Sequence, residues 1–147
     1  MPERPCYIVD ASIATKWYLN DEDGAETAAV LFQEFDRGNV ELYAPEQIRY
    51  EVPSAIRQAV SRTRLSPEHG RQATELFLSL DSTTVRSTSL TLLAYDQALR
   101  WGCSLYDGLY LALAEATDYP LVFADHRLKN TLAGRFPLAV WIDDYSP

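Results

Sequence analysis

The chain has 147 residues, 47% of them hydrophobic and 23% charged, enough to bury one sizeable core and too apolar for disorder, so a single domain over residues 1–147 is expected. Thirteen basic against 21 acidic side chains give a net charge of −8, the wrong balance for a chain coated in nucleic acid or held on an acidic membrane surface. Two cysteines, Cys6 and Cys103, stand far apart without CxxC or Cys/His spacing, which argues against a disulfide scaffold or a zinc site and for free thiols in a reducing cytoplasm.

Asp10 interrupts the apolar stretch a signal peptide would need, and no run approaches the roughly 18 apolar residues of a membrane span, so no membrane attachment is expected. Cys6-Tyr7-Ile8-Val9 reads as a buried strand ending at Asp10. Ser12 is placed to cap a short helix through Trp17 to Leu19, and Asp21-Glu22-Asp23 reads as a turn. Helical spacing follows from Gly24 to Asp36, closed by Gly38, and then Val40 to Tyr43 alternates as a strand.

Pro45 is expected as the first residue of the next helix, which sets Ile48, Val52, Ile56, Ala59 and Val60 on one face. Pro53 falls inside that helix and predicts a kink just after Glu51. Ser66-Pro67-Glu68 opens another helix, and Thr83-Thr84-Val85 is a weak strand. Leu90 to Trp101 is helical up to Gly102. Leu105 to Ala116 is apolar nearly all round and therefore buried. Leu121-Val122-Phe123 is a clear strand ending near Asp125, a short turn or helix runs through Leu132, and Leu138 to Ile142 closes as a strand. Short apolar strands alternating with helices predict an α/β fold with a parallel sheet covered on both faces.

In open α/β sheets, sites form beyond the carboxyl ends of the strands. Asp10 and Asp125 both fall there, and Glu51 and Asp107 lie near helix starts that can face the same crevice. Oxygen donors without histidine or thiolate suit Mg²⁺ or Mn²⁺. Two carboxylates about 5 Å apart repel by roughly 3 kcal/mol at an effective dielectric near 20, a repulsion that a divalent ion offsets. Each acid also has a structural reading. Asp107 follows Ser104 at capping-box spacing, Asp10 and Asp125 can each cap the helix that follows, and Glu51 can be a solvated helix residue.

Four segments together resemble the PIN-domain family, and more narrowly its VapC-type toxins. They are Val9-Asp10-Ala11-Ser12 with Lys16-Trp17, then Ala44-Pro45 through Glu51-Val52 and Ala55, then Tyr106-Asp107-Gly108-Leu109-Tyr110-Leu111-Ala112-Leu113-Ala114, and last Leu121-Val122-Phe123-Ala124-Asp125 with Arg127-Leu128. The resemblance runs from about Tyr7 to Ile142. It implies a three-layer α/β/α sandwich with a central parallel sheet. It also implies an endoribonuclease in which Asp10, Glu51, Asp107 and Asp125 are catalytic metal ligands, Ser12 is a supporting polar group, and a metal-activated water cleaves RNA. A homodimer silenced by a cognate antitoxin is implied as well. Against the family pattern, Phe123 stands where threonine is common, Ser54 where asparagine is common, and Gly108 where alanine is usual.

The charge is uneven: residues 1–48 carry 3 basic and 10 acidic side chains, while residues 49–71 carry five arginines against Glu51 and Glu68. Arg57, Arg62, Arg64 and Arg127 are therefore candidates to hold RNA phosphates, with a solvated arginine-rich helix face as the other reading. Trp17, Trp101 and Trp141 are expected in the core or a dimer contact, and His126 on the surface. Two other functions compete: a catalytically weak PIN-fold subunit, prompted by Phe123 and Pro53, and an aspartate-dependent phosphotransferase or receiver domain. The second would need another acid beside or two residues after Asp10, where Ala11 and Ser12 stand.

Overall fold

In a computed structural model that describes residues 3–147, the chain forms a five-stranded, wholly parallel sheet with helices on both faces, a three-layer α/β/α architecture. The strands are β1 (Cys6–Val9), β2 (Glu41–Pro45), β3 (Thr83–Val85), β4 (Leu121–Phe123) and β5 (Ala139–Trp141), in spatial order β3-β2-β1-β4-β5. The first strand thus lies at the centre. Its Ile8 pairs with Tyr43 of β2 on one side and Leu121 of β4 on the other. Burial on both faces explains why β1 and β4 read as unbroken apolar runs.

The helices are α1 (Ala11–Lys16), α2 (Ala25–Asp36), α3 (Ile48–Ser61), α4 (Pro67–Leu78), α5 (Ser87–Trp101), α6 (Leu105–Thr117) and α7 (His126–Leu132). Most starts and stops follow the local signals. Ser66 caps α4 by accepting from the His69 N–H at 3.1 Å, and Gly102 ends α5 in the left-handed region. Pro45 departs from expectation. It is the last residue of β2, opposite Val85, and α3 begins only at Ile48. A strand end tolerates proline because the missing N–H breaks no interior pairing. Helix α5 also starts three residues before the expected Leu90, because its first turn is polar and carries no apolar signal. Helix α3 continues through Pro53 without a break.

Helix α6 is the central buried helix: every residue from Gly108 to Ala114 is buried. It lies against α5 so closely that a Cβ on Gly108 would stand 2.4 Å from the Ala94 carbonyl oxygen. Glycine is therefore required where the family usually carries alanine. This contact fixes the first turn of α6, which carries Asp107.

Candidate active site

The carboxyl ends of the central strands meet the starts of α1, α3, α6 and α7, and each of these positions supplies one acid. Asp10 follows β1 and is only 6% exposed. Its Oδ1 accepts hydrogen bonds from the Ser12 hydroxyl and from the Ile13 N–H at 3.3 Å. Asp10, rather than the expected Ser12, therefore caps α1. Ser12 instead joins two strands. Its Oγ accepts the Ala124 N–H at 2.9 Å and so ties the turn after β1 to the end of β4. Asp125 caps α7, its Oδ1 accepting from the Leu128 N–H at 3.0 Å. The Ser104 hydroxyl accepts the Asp107 N–H at 3.0 Å at the start of α6. The structural readings of Asp10 and Asp125 thus coexist with a place in the crevice. Each cap uses Oδ1, and among the described residues neither Oδ2 has a hydrogen-bond partner.

Electrostatics links the four acids into a ring. Burial raises Asp10 from 3.8 to about 7, opposed by the Ser12 and Ile13 hydrogen bonds and reinforced by repulsion from Asp125 and Glu51. Burial also raises Glu51; hydrogen bonds from Gln47 and Tyr110 oppose the shift, and Asp107 adds to it. Asp107 is raised first by burial and further by Asp125, while Ser104 and Arg127 pull it down. Asp10 thus feels Asp125 and Glu51, Glu51 feels Asp107, and Asp107 feels Asp125, with burial acting on the first three. Among the described residues the cation paired with these acids is Arg127, whose Nη2 stands 3.5 Å from Asp107 Oδ2 with its side chain 75% exposed.

The other arginines behave differently. Arg64 is bound to Asp21 through Nη2 and Nε, at 2.6 and 3.2 Å, and to Glu22 at 3.2 Å, an ion-pair cluster it would have to leave to meet a phosphate. Arg57 and Arg62 are exposed on α3. At 1.5 Å per residue they lie about 9 and about 16 Å further along the helix axis than Glu51, so the fold does not bring them to the acids.

The donor set, four carboxylates with no nitrogen or thiolate among them, suits a hard divalent ion. Cys103, close enough to feel Asp107 and Arg127, is pushed up by burial and offers no ready thiolate. Convergence is nevertheless incomplete. Among the described residues no three His, Cys, Asp or Glu side chains are gathered tightly enough to hold an ion as they stand. The acids are linked as mutually repelling pairs, and Asp107 is ion-paired with Arg127.

Two contributors escape sequence reasoning. Tyr110, 3% exposed, donates its hydroxyl hydrogen bond to Glu51 Oε1 at 3.0 Å. It lies one turn after Asp107, on a helix whose apolar character hides this polar role. Gln47 lies one turn before Glu51, accepts the Glu51 N–H at its carbonyl at 3.0 Å and donates from Nε2 to the Tyr106 carbonyl at 3.0 Å, stitching α3 to α6. Its i, i+4 spacing from Glu51 is the only signal in the sequence. Phe123 is buried in the core, its ring packed edge-on against Trp141 at 5.3 Å.

Among known proteins, a family model described as PIN domain matches residues 7–132. The chain is 32% identical over 133 residues to the VapC ribonuclease Mb0985 of Mycobacterium bovis, a match that covers 90% of this chain and 96% of that one. It is 37% identical over 124 residues to Ribonuclease VapC12 of Mycobacterium tuberculosis, covering 84% and 90%. The crystal structure of PAE2754 from Pyrobaculum aerophilum superposes with a TM-score of 0.66 at 18% identity over 96% of this chain and 93% of that one, a likeness of fold.

Proposed function

This chain belongs to the PIN-domain family, and from that premise we propose that it is a metal-dependent endoribonuclease, the toxin of a toxin–antitoxin pair, that hydrolyses RNA phosphodiester bonds. The observation that carries this reading is the set of four carboxyls, from four separate elements, at the carboxyl edge of the sheet, three of them (Asp10, Glu51 and Asp107) desolvated, with Arg127 the one cation paired to them among the described residues. The ribonuclease names of relatives matched over most of both chains support RNA as the substrate.

Asp10, Glu51, Asp107 and Asp125 would hold Mg²⁺ or Mn²⁺. Such an ion supplies the positive charge that activates a water for attack on the phosphate and stabilises the departing oxygen. The chain's own groups prepare for it. Ser12 and the Ile13 N–H hold Asp10 Oδ1 and leave Oδ2 available. Tyr110 favours the ionised form of Glu51 and holds its Oε1. Arg127, released from Asp107, has the exposure and reach to bind a substrate phosphate. Arg57 and Arg62 would meet phosphates of a longer RNA.

A homodimer and a cognate antitoxin complete the reading. Leu92, Tyr95 and Leu99 recur at helical spacing on α5 and are 75%, 55% and 68% exposed, an apolar stripe that supports association of two copies there. Among the described residues no helix is long and apolar enough to cross a membrane, and two free cysteines suit the cytoplasm. Digestion of a labelled single-stranded RNA with Mn²⁺ tests the function. Cleavage is expected from the native chain, with none in EDTA and none from Asp107→Asn at unchanged circular dichroism. Cleavage that survives both would overturn the assignment.

A further inference from the structure

On the β5 side of the acids lies a second cavity, about 400 Å³, lined among others by Lys16, Asp23, His126, Lys129, Trp141 and Asp143. Its position is tied to the acids. Trp141 ends β5 opposite Phe123 of β4, so it stands one strand spacing, roughly 5 Å, from the strand that delivers Asp125. His126 follows Asp125 directly.

The walls combine aromatic and ionic groups. The His126 imidazole lies 4.9 Å from the Trp141 ring, inclined by 55°, and the Lys129 ammonium sits 4.2 Å from the centre of that ring. The Trp141 N–H donates to Asp143 Oδ2 at 3.1 Å, which fixes the orientation of the indole. Lys16 is committed to Glu22 at 3.2 Å, whereas His126 and Lys129 are exposed.

We propose that this cavity is a nucleotide subsite, which takes the unpaired base next to the cleaved phosphate and stacks it on Trp141 with His126 against its edge. This rests on the ribonuclease reading and names how its substrate is held. Single-stranded RNA is read by splaying bases onto aromatic side chains, and histidine and tryptophan both serve. Lys129, on an exposed stem, can leave the indole face for the phosphate that accompanies the base. Asp23 and Asp143 repel phosphate from the cavity interior and accept hydrogen bonds, so they favour a base that carries an exocyclic amino group, such as guanine, over uracil. The volume, about 400 Å³, lies in the range of small-molecule sites.

The chain has two histidines, so imidazole proton resonances resolve the question on the intact protein, with His69 on α4 as internal reference. Adding GMP, and separately UMP, in EDTA should shift the His126 resonance, GMP at lower concentration, and leave His69 in place. The double variant His126→Ala, Lys129→Ala should bind single-stranded RNA about tenfold more weakly, in line with the loss of one aromatic contact to the base, with Mn²⁺ affinity unchanged. An unmoved His126 resonance, equal movement of both histidines, or native RNA affinity in the double variant would overturn the subsite. Absence of Mn²⁺-dependent cleavage by the native chain would instead overturn the ribonuclease reading, and the nucleotide experiment reports independently of it.

Discussion

Replacing Asp10 by asparagine tests the ring through stability in the metal-free protein. Burial raises this carboxyl from 3.8 to about 7, so the folded chain keeps it protonated over a pH range where the unfolded chain has released the proton. Native stability therefore falls as pH rises through that window, and the loss levels off above about 7. At 1.36 kcal/mol per unit, the deficit is about 2 kcal/mol at pH 5 and about 4 kcal/mol at pH 8. Asparagine keeps an Oδ1 for the Ser12 and Ile13 hydrogen bonds and does not ionise, so the roughly 2 kcal/mol difference between the two pH values should vanish. For a chain of this size that is about 4–8 °C in Tm. Thermal denaturation in EDTA at pH 5 and pH 8 measures it. Asp10 repels Glu51 and Asp125, so the comparison reports the Asp10 proton together with the relief of that repulsion, and both change the pH dependence in the same direction. An asparagine variant whose pH dependence runs parallel to that of the native chain would refute the idea that this carboxyl is held protonated by burial.

Arg127→Ala removes the cation beside Asp107. By calorimetry Mn²⁺ should bind up to about fivefold more tightly, the range of an exposed ion pair, while RNA affinity falls and its salt dependence flattens by about one phosphate contact. Unchanged affinity for both would remove Arg127 from the site. Tyr110→Phe keeps the buried ring and loses the bond to Glu51, so Mn²⁺ affinity should fall about tenfold and stability by about 1–3 kcal/mol, the cost of removing one partner of a buried polar group. Native affinity would show that Glu51 does not depend on it. Gly108→Ala forces a methyl onto the Ala94 carbonyl and should destabilise by about 1–3 kcal/mol in urea denaturation; a stable variant would mean that α5 yields easily.

Where the chain is readable, a single local rule governs the outcome. Cys6 to Val9 and Leu121 to Phe123 are strands because both faces are buried, and Asp10 and Asp125 follow as strand-end acids. Glu51 and Asp107 sit on helices, and only the family resemblance places them with the other two. What stays hidden depends on residues far apart in the chain. Arg64 looks free in the sequence because its partner Asp21 is 43 positions away, and Tyr110 looks like core because Glu51 is 59 positions away. The cap of α1 is misread for a more local reason. With α1 starting at Ala11, Asp10 occupies the cap position, and Ser12 turns outward to Ala124.

The central place of β1 also constrains synthesis. Ser12 must wait for Ala124, 112 residues later, before the turn that carries Asp10 is locked to the strand that delivers Asp125. At a translation rate of about 5–20 residues per second, roughly 6–20 s separate their appearance. A chain still being made has no assembled nuclease centre near the ribosome that produces it, and one that stops before β4 never acquires one.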